Sequence, residues 1–167
     1  MIAGRAFGTE LGRRRHELIY GGYGRGLMGE VARGAYQGGA RITAVIPAIF
    51  NDNNFIYEGC TRVISTADLR ERKKIMQLEA DAFAVLPGGV GTYDELFDTL
   101  ALTTLGELNK PVGVLDVDGF YRPLRLLLDE GAARGFIAAQ TADHVSFYTS
   151  AAELLDALER VDERRGS

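Results

Sequence analysis

The chain has 167 residues and is 46% hydrophobic, which is enough for one domain with a sizeable core and little more. Its formal net charge of −4 excludes a general nucleic-acid surface, so any positive potential toward an anionic ligand has to be local. The single cysteine, Cys60, excludes an internal disulfide framework.

Apolar runs alternate with amphipathic stretches, the pattern of an α/β fold with a parallel sheet and crossover helices. The chain opens in a helix, Ala3 to Arg15, where such folds usually open with a strand. Leu18 to Tyr20 is a short strand running into Gly21-Gly22, and Leu27 to Gln37 is a helix closed by Gly38-Gly39. Arg41 to Ile46 is a strand stopped by Pro47, Arg62 to Ser65 is a third, and Leu69 to Ala80 is a helix. Ala82 to Leu86 is an apolar strand ending at Pro87, followed by a helix over Thr92 to Leu105. Val112 to Leu115 is a strand, Asp118-Gly119 a turn and Pro123 to Arg134 a helix. Val145 to Phe147 and Ala151 to Arg160 are the last strand and helix. Residues 1–161 are expected to form a single nucleotide-binding domain, with a polar tail over 162–167. No apolar run reaches the roughly 20 residues of a membrane span, and no signal-like segment opens the chain, so a cytoplasmic protein is expected. His16 and His144 lie far apart and give no metal-ligand spacing, so neither a metal nor a cofactor is expected.

The stretch Leu86 to Glu95, LPGGVGTYDE, carries the chemistry. Gly88, Gly89 and Gly91 fall between a strand and a helix, where they let a ligand come close to backbone N–H groups. The helix start and its dipole favour an anion such as phosphate, and Thr92 adds a hydroxyl. Glu95 has two readings: a carboxylate for catalysis, or the partner of Thr92 in a Thr-x-x-Glu capping box. Asp94 points about 100° away from Glu95 around the helix. Arg72 falls on an apolar stripe with Leu69, Met76 and Ala80, where a charge needs a partner; that partner is a ligand or an internal carboxylate. Lys73 and Lys74 flank it, with Lys74 expected in solvent. Gly24 to Gly29 matches G-x-G-x-x-G, yet the strand after it ends Val45-Ile46-Pro47 without an acid for ribose hydroxyls, which rejects a dinucleotide site.

These motifs are together similar to the LOG (Lonely Guy) family of cytokinin riboside 5′-monophosphate phosphoribohydrolases, whose sequences are also labelled possible lysine decarboxylases. PGGVGTYDE resembles that family's PGGxGTxxE, and LRERK resembles its M-H-x-R-K. The spacing from Arg72 to Glu95, 95 − 72 = 23 residues, is that of the family. YGGYGRGLMG and NKPVGVLDVDGFY resemble its YGGGxxGLMG and DKPVGLLNVDGYY. The resemblance implies a Rossmann-like doubly wound sheet and a homodimer. It implies hydrolysis of the N-glycosidic bond of a nucleoside 5′-monophosphate, AMP or a cytokinin riboside monophosphate, to free base and ribose 5-phosphate. It implies Arg72 and Glu95 as catalytic residues, and Lys73, Gly88, Gly89, Val90, Gly91, Thr92, Tyr93 and Asp94 as substrate-binding residues. A non-catalytic nucleotide or cofactor carrier on the same fold is the alternative.

The chain departs from the family at four places. Arg70 replaces the family's His, Asn54 aligns with a family acid, and Ala101 to Thr104 replaces T-W-A-Q. The family's first strand and its C-G-S-S loop have no counterpart here. The expectation is therefore a sheet lacking its usual first strand, in a shortened version of a longer protein, with the strands at Leu18–Tyr20 and Ala82–Leu86 unpaired on one side.

Overall fold

The computed structural model describes residues 1–50, 55–138, 141 and 144–163. Two compact units divide the chain, Met1–Ala80 and Asp81–Ser167.

The first unit runs α1 (Ile2–Arg13), β1 (Leu18–Tyr20), α2 (Gly26–Gln37), β2 (Ile42–Pro47), a 3-10 turn (Ala48–Phe50), β3 (Arg62–Thr66) and α3 (Leu69–Glu79). Its three strands are parallel in the order β1-β2-β3, with Leu18 opposite Ile42 and Thr43 opposite Arg62. Every residue of β2 is buried, as a strand paired on both sides requires. Glycines bring α1 and α2 into close contact. A Cβ on Gly8 would strike the Val31 carbonyl, and one on Gly34 would strike the Arg5 carbonyl. Gly4, Gly8 and Gly12 recur every fourth residue, so they form one flat stripe along α1. Glu30 of α2 locks the pair, accepting from Arg5 Nε at 2.6 Å and from Arg33 Nη2 at 2.7 Å.

The second unit runs β4 (Phe83–Val85), α4 (Val90–Thr104), β5 (Val112–Leu115), α5 (Arg122–Ala133), β6 (Val145–Tyr148) and α6 (Ala151–Glu163). Its strands are parallel in the order β4-β5-β6, with Val85 opposite Val114. Val85, Leu96, Leu100, Val112, Val114, Tyr121, Leu124, Leu128 and Val145 form its core. Pro123 sits in the first turn of α5, where a missing N–H costs nothing.

Both units are α/β with parallel strands, as the alternation of apolar runs implies. The chain does open in a helix, and β1 and β4 each lie at an edge of their own sheet. Three expectations need correction. Helix α4 begins at Val90, two residues before Thr92, because Gly89 takes the cap position. Leu69 is 53% exposed and no residue of α3 is fully buried, so the stripe expected there is at most half-buried. Helix α6 extends to Glu163, past the expected start of the tail at 162. Residues 164–167 of that tail lie outside the described residues, as does Asn54. No helix among the described residues is long and apolar enough to cross a membrane.

Candidate active site

In the second unit, β4 delivers the chain to Leu86-Pro87-Gly88-Gly89, and α4 starts at once. Gly89 caps the helix with extended backbone, φ −99° and ψ −156°, and without a side-chain hydrogen bond. In the first turn the Thr92 N–H donates to the Gly89 carbonyl at 3.0 Å, and no cap side chain occupies the N–H groups of Val90 and Gly91 before it. The capping-box reading of Glu95 fails on the same fact. Thr92 is the third residue of the helix and not its cap, so Glu95 has no cap N–H to reach back to.

The three glycines have different reasons. A Cβ on Gly88 would collide with the Thr92 side chain, so the fold itself demands glycine there. Gly89 and Gly91 have no such reason. A Cβ at either would meet no described atom within 4 Å, setting aside the nearby backbone of α4 itself, and neither has positive φ. Glycine is ordinary at the cap position of Gly89, whereas at Gly91, inside the helix, it costs up to about 1 kcal/mol against alanine. That cost without any internal constraint fits a surface kept clear for a ligand that approaches the backbone.

Glu95 is half-buried on α4, one turn beyond Thr92, while Asp94 and Val90 face solvent. Further along, Thr103 donates to the Thr99 carbonyl and Thr104 to the Leu100 carbonyl, each at 2.8 Å. These two residues replace the end of the family's T-W-A-Q, and their hydroxyl protons are already committed to the helix.

Sequence reasoning missed Tyr121. It is fully buried at the start of α5, and its hydroxyl donates to the Leu86 carbonyl at 2.6 Å. Burial, then the neighbouring Tyr93 and Asp116, push the phenol well above its ordinary value, so it stays a donor at any physiological pH.

In the first unit, Asp68 caps α3, accepting from Arg70 N at 2.8 Å and Glu71 N at 2.9 Å. Glu71 accepts from Ala67 N at 2.6 Å, so a capping arrangement exists here and not at Thr92. This firm start aims Arg72 across the sheet. Its Nε donates to the Val45 carbonyl at 3.1 Å, near the end of β2. Its guanidinium also crosses Gly21, where a Cβ would strike Nη2. Arg72 therefore lies over the carboxyl ends of β1 and β2, where parallel α/β sheets place their ligands. Lys73 is half-buried and Lys74 is exposed. The G-x-G-x-x-G segment is occupied internally: Gly24 N donates to the Phe55 carbonyl, Tyr57 N to the Gly22 carbonyl, and a Cβ on Gly29 would strike the Gly24 carbonyl.

Known proteins share both the sequence and the fold. The family described as "possible lysine decarboxylase" matches residues 28–158. The probable cytokinin riboside 5′-monophosphate phosphoribohydrolase LOGL1 of Oryza sativa subsp. japonica is 41% identical over 153 residues, covering 92% of this chain and 69% of its own. The cytokinin riboside 5′-monophosphate phosphoribohydrolase LOG7 of Arabidopsis thaliana is 38% identical over 155 residues, covering 93% and 71%. Among solved structures, the molybdenum cofactor carrier protein of Chlamydomonas reinhardtii superposes with a TM-score of 0.69 at 21% identity, covering 95% of this chain and 85% of that one. The last likeness is one of fold, Rossmann-like, while the sequence matches fix the lineage: the chain belongs to the LOG family, within the group described as possible lysine decarboxylases.

Proposed function

We infer that the protein hydrolyses the N-glycosidic bond of a nucleoside 5′-monophosphate, releasing free base and ribose 5-phosphate. The observation that carries this reading is the pair Gly89 and Gly91, which hold space open over a helix start that ends in a half-buried Glu95. The loop Gly88 to Thr92 binds the 5′-phosphate through first-turn N–H groups and the Thr92 hydroxyl. Val90, Tyr93 and Asp94 belong to the same substrate-binding run, and Lys73 adds a cation. Breaking the C1′–N bond builds positive charge on the ribose. The Glu95 carboxylate stabilises that oxocarbenium-like state and orients the attacking water. Arg72 steadies the phosphate or the departing base. The protein acts as a homodimer in the cytoplasm.

A carrier that binds a nucleotide without turning it over is the second reading. The carrier protein named above favours it in fold alone, whereas relatives near 40% identity bear hydrolase names, which favours turnover. Chromatography of AMP incubated with the wild type and with Glu95→Gln tests the proposal. We expect adenine from the wild type and about a hundredfold less from the variant. Equal release from both removes Glu95 from the mechanism, and no release from either favours the carrier.

A further inference from the structure

We propose that Tyr121 is a positioning residue, whose hydroxyl sets the shape of the loop Leu86–Gly89 and through it the affinity for the substrate's phosphate. The inference rests on the phosphate-binding reading of that loop. Tyr121 stands 35 residues from Leu86 in sequence and on a different element, yet its hydroxyl donates to the Leu86 carbonyl at 2.6 Å. That one bond ties the loop to α5 just before Pro87.

The geometry suits a fixed strut. Strand pairing ends at Val85, so the Leu86 carbonyl lies just past the ladder and takes its partner from Tyr121. Pro87 has no N–H to contribute. The ring is fully buried and cannot swing aside. Tyr93 and Phe120 pack edge-on against it, with ring centres 6.1 and 5.0 Å away. The Tyr121 backbone is anchored too, its N–H donating to Asp116 Oδ1 at 2.8 Å. A loop held in its binding shape before the ligand arrives spends less conformational entropy on binding, and that gain appears as affinity.

The substitution Tyr121→Phe removes the oxygen and keeps the ring. Calorimetry with ribose 5-phosphate, and with ribose as the control without phosphate, reads the loop directly. We expect the ribose 5-phosphate Kd to rise about tenfold while the ribose response is unchanged. With AMP we expect KM to rise by a similar factor and kcat to stay within about twofold. A residue that only supports the core lowers Tm without this split. A folded Tyr121→Phe protein with an unchanged Kd and KM, or with kcat alone reduced, overturns the proposal. If Tyr121→Phe does not fold, Asp116→Ala loosens the same ring through its backbone anchor and should shift the Kd in the same direction; an unchanged Kd there overturns the proposal equally. A wild type that binds ribose 5-phosphate but hydrolyses no nucleotide ends the hydrolase reading alone, and the Kd comparison still decides the role of Tyr121.

Discussion

Arg72 and Gly21 define each other. The guanidinium passes over Gly21, where a Cβ would strike it, and its Nε donates to the Val45 carbonyl. We expect Arg72→Ala to lower turnover by about a hundredfold and Lys74→Ala, at an exposed position, to change it less than twofold. Gly21→Ala displaces the guanidinium without touching its charge, and we expect a loss of about tenfold in kcat; wild-type kinetics in that variant contradict the placement. Gly91→Ala makes the opposite kind of test. No described atom fills the space over Gly91, and alanine is the better helix former, so stability should rise by up to about 1 kcal/mol. A methyl facing the ligand should at the same time raise KM for AMP. A stabilised variant with an unchanged KM argues that the space serves no ligand. The candidate residues of the two units were unequally legible in the sequence. Gly88 to Glu95 stood out because the glycines, the helix start and the carboxylate are neighbours along the chain. Tyr121 and Gly21 did not, because each acts on a partner far away in sequence, and a tyrosine or a glycine carries no local mark of that.

At the scale of elements, the strands were legible from apolar runs closed by glycine or proline, and β1 and β5 fall where the runs place them. Helix starts were harder. Thr92 looks like an N-cap, but Gly89, three residues earlier, takes the cap, and α4 forms through the threonine. Asp68-x-x-Glu71 was the better capping signal and was readable. The packing of α1 on α2 was present as the spacing of Gly4, Gly8 and Gly12. We expect Gly8→Val to cost about 1–3 kcal/mol by forcing the two helices apart, measured by denaturant unfolding. Glu30 gives this pair an acid limit. The hydrogen bonds from Arg33 and then Arg5 hold its carboxyl below the usual range. A carboxyl lowered on folding stabilises above its unfolded value, about 4.3, and that contribution is lost as pH falls through the lower folded value. The stabilities of wild type and Glu30→Gln should therefore differ near pH 7 and converge toward about pH 3. A difference that is constant across that range contradicts the assignment.

For the whole molecule, both units follow one rule: parallel strands carry helices, and the proposed ligand groups lie at the carboxyl ends of the strands. The Rossmann-like class was legible because alternation is a property of the whole chain and survives errors of a few residues at each boundary. What such a fold does is not written in its architecture, since the same fold serves a cofactor carrier and the chain's hydrolase-named relatives. With a net charge of −4, any pull on an anionic ligand has to come from local groups. The most direct test of the account is to incubate the purified protein with AMP and with N6-prenylated AMP and to quantify every product. We expect free base and ribose 5-phosphate in equal amounts, with no nucleoside formed. Nucleotide recovered intact, or a nucleoside left behind by loss of phosphate, would contradict cleavage of the glycosidic bond.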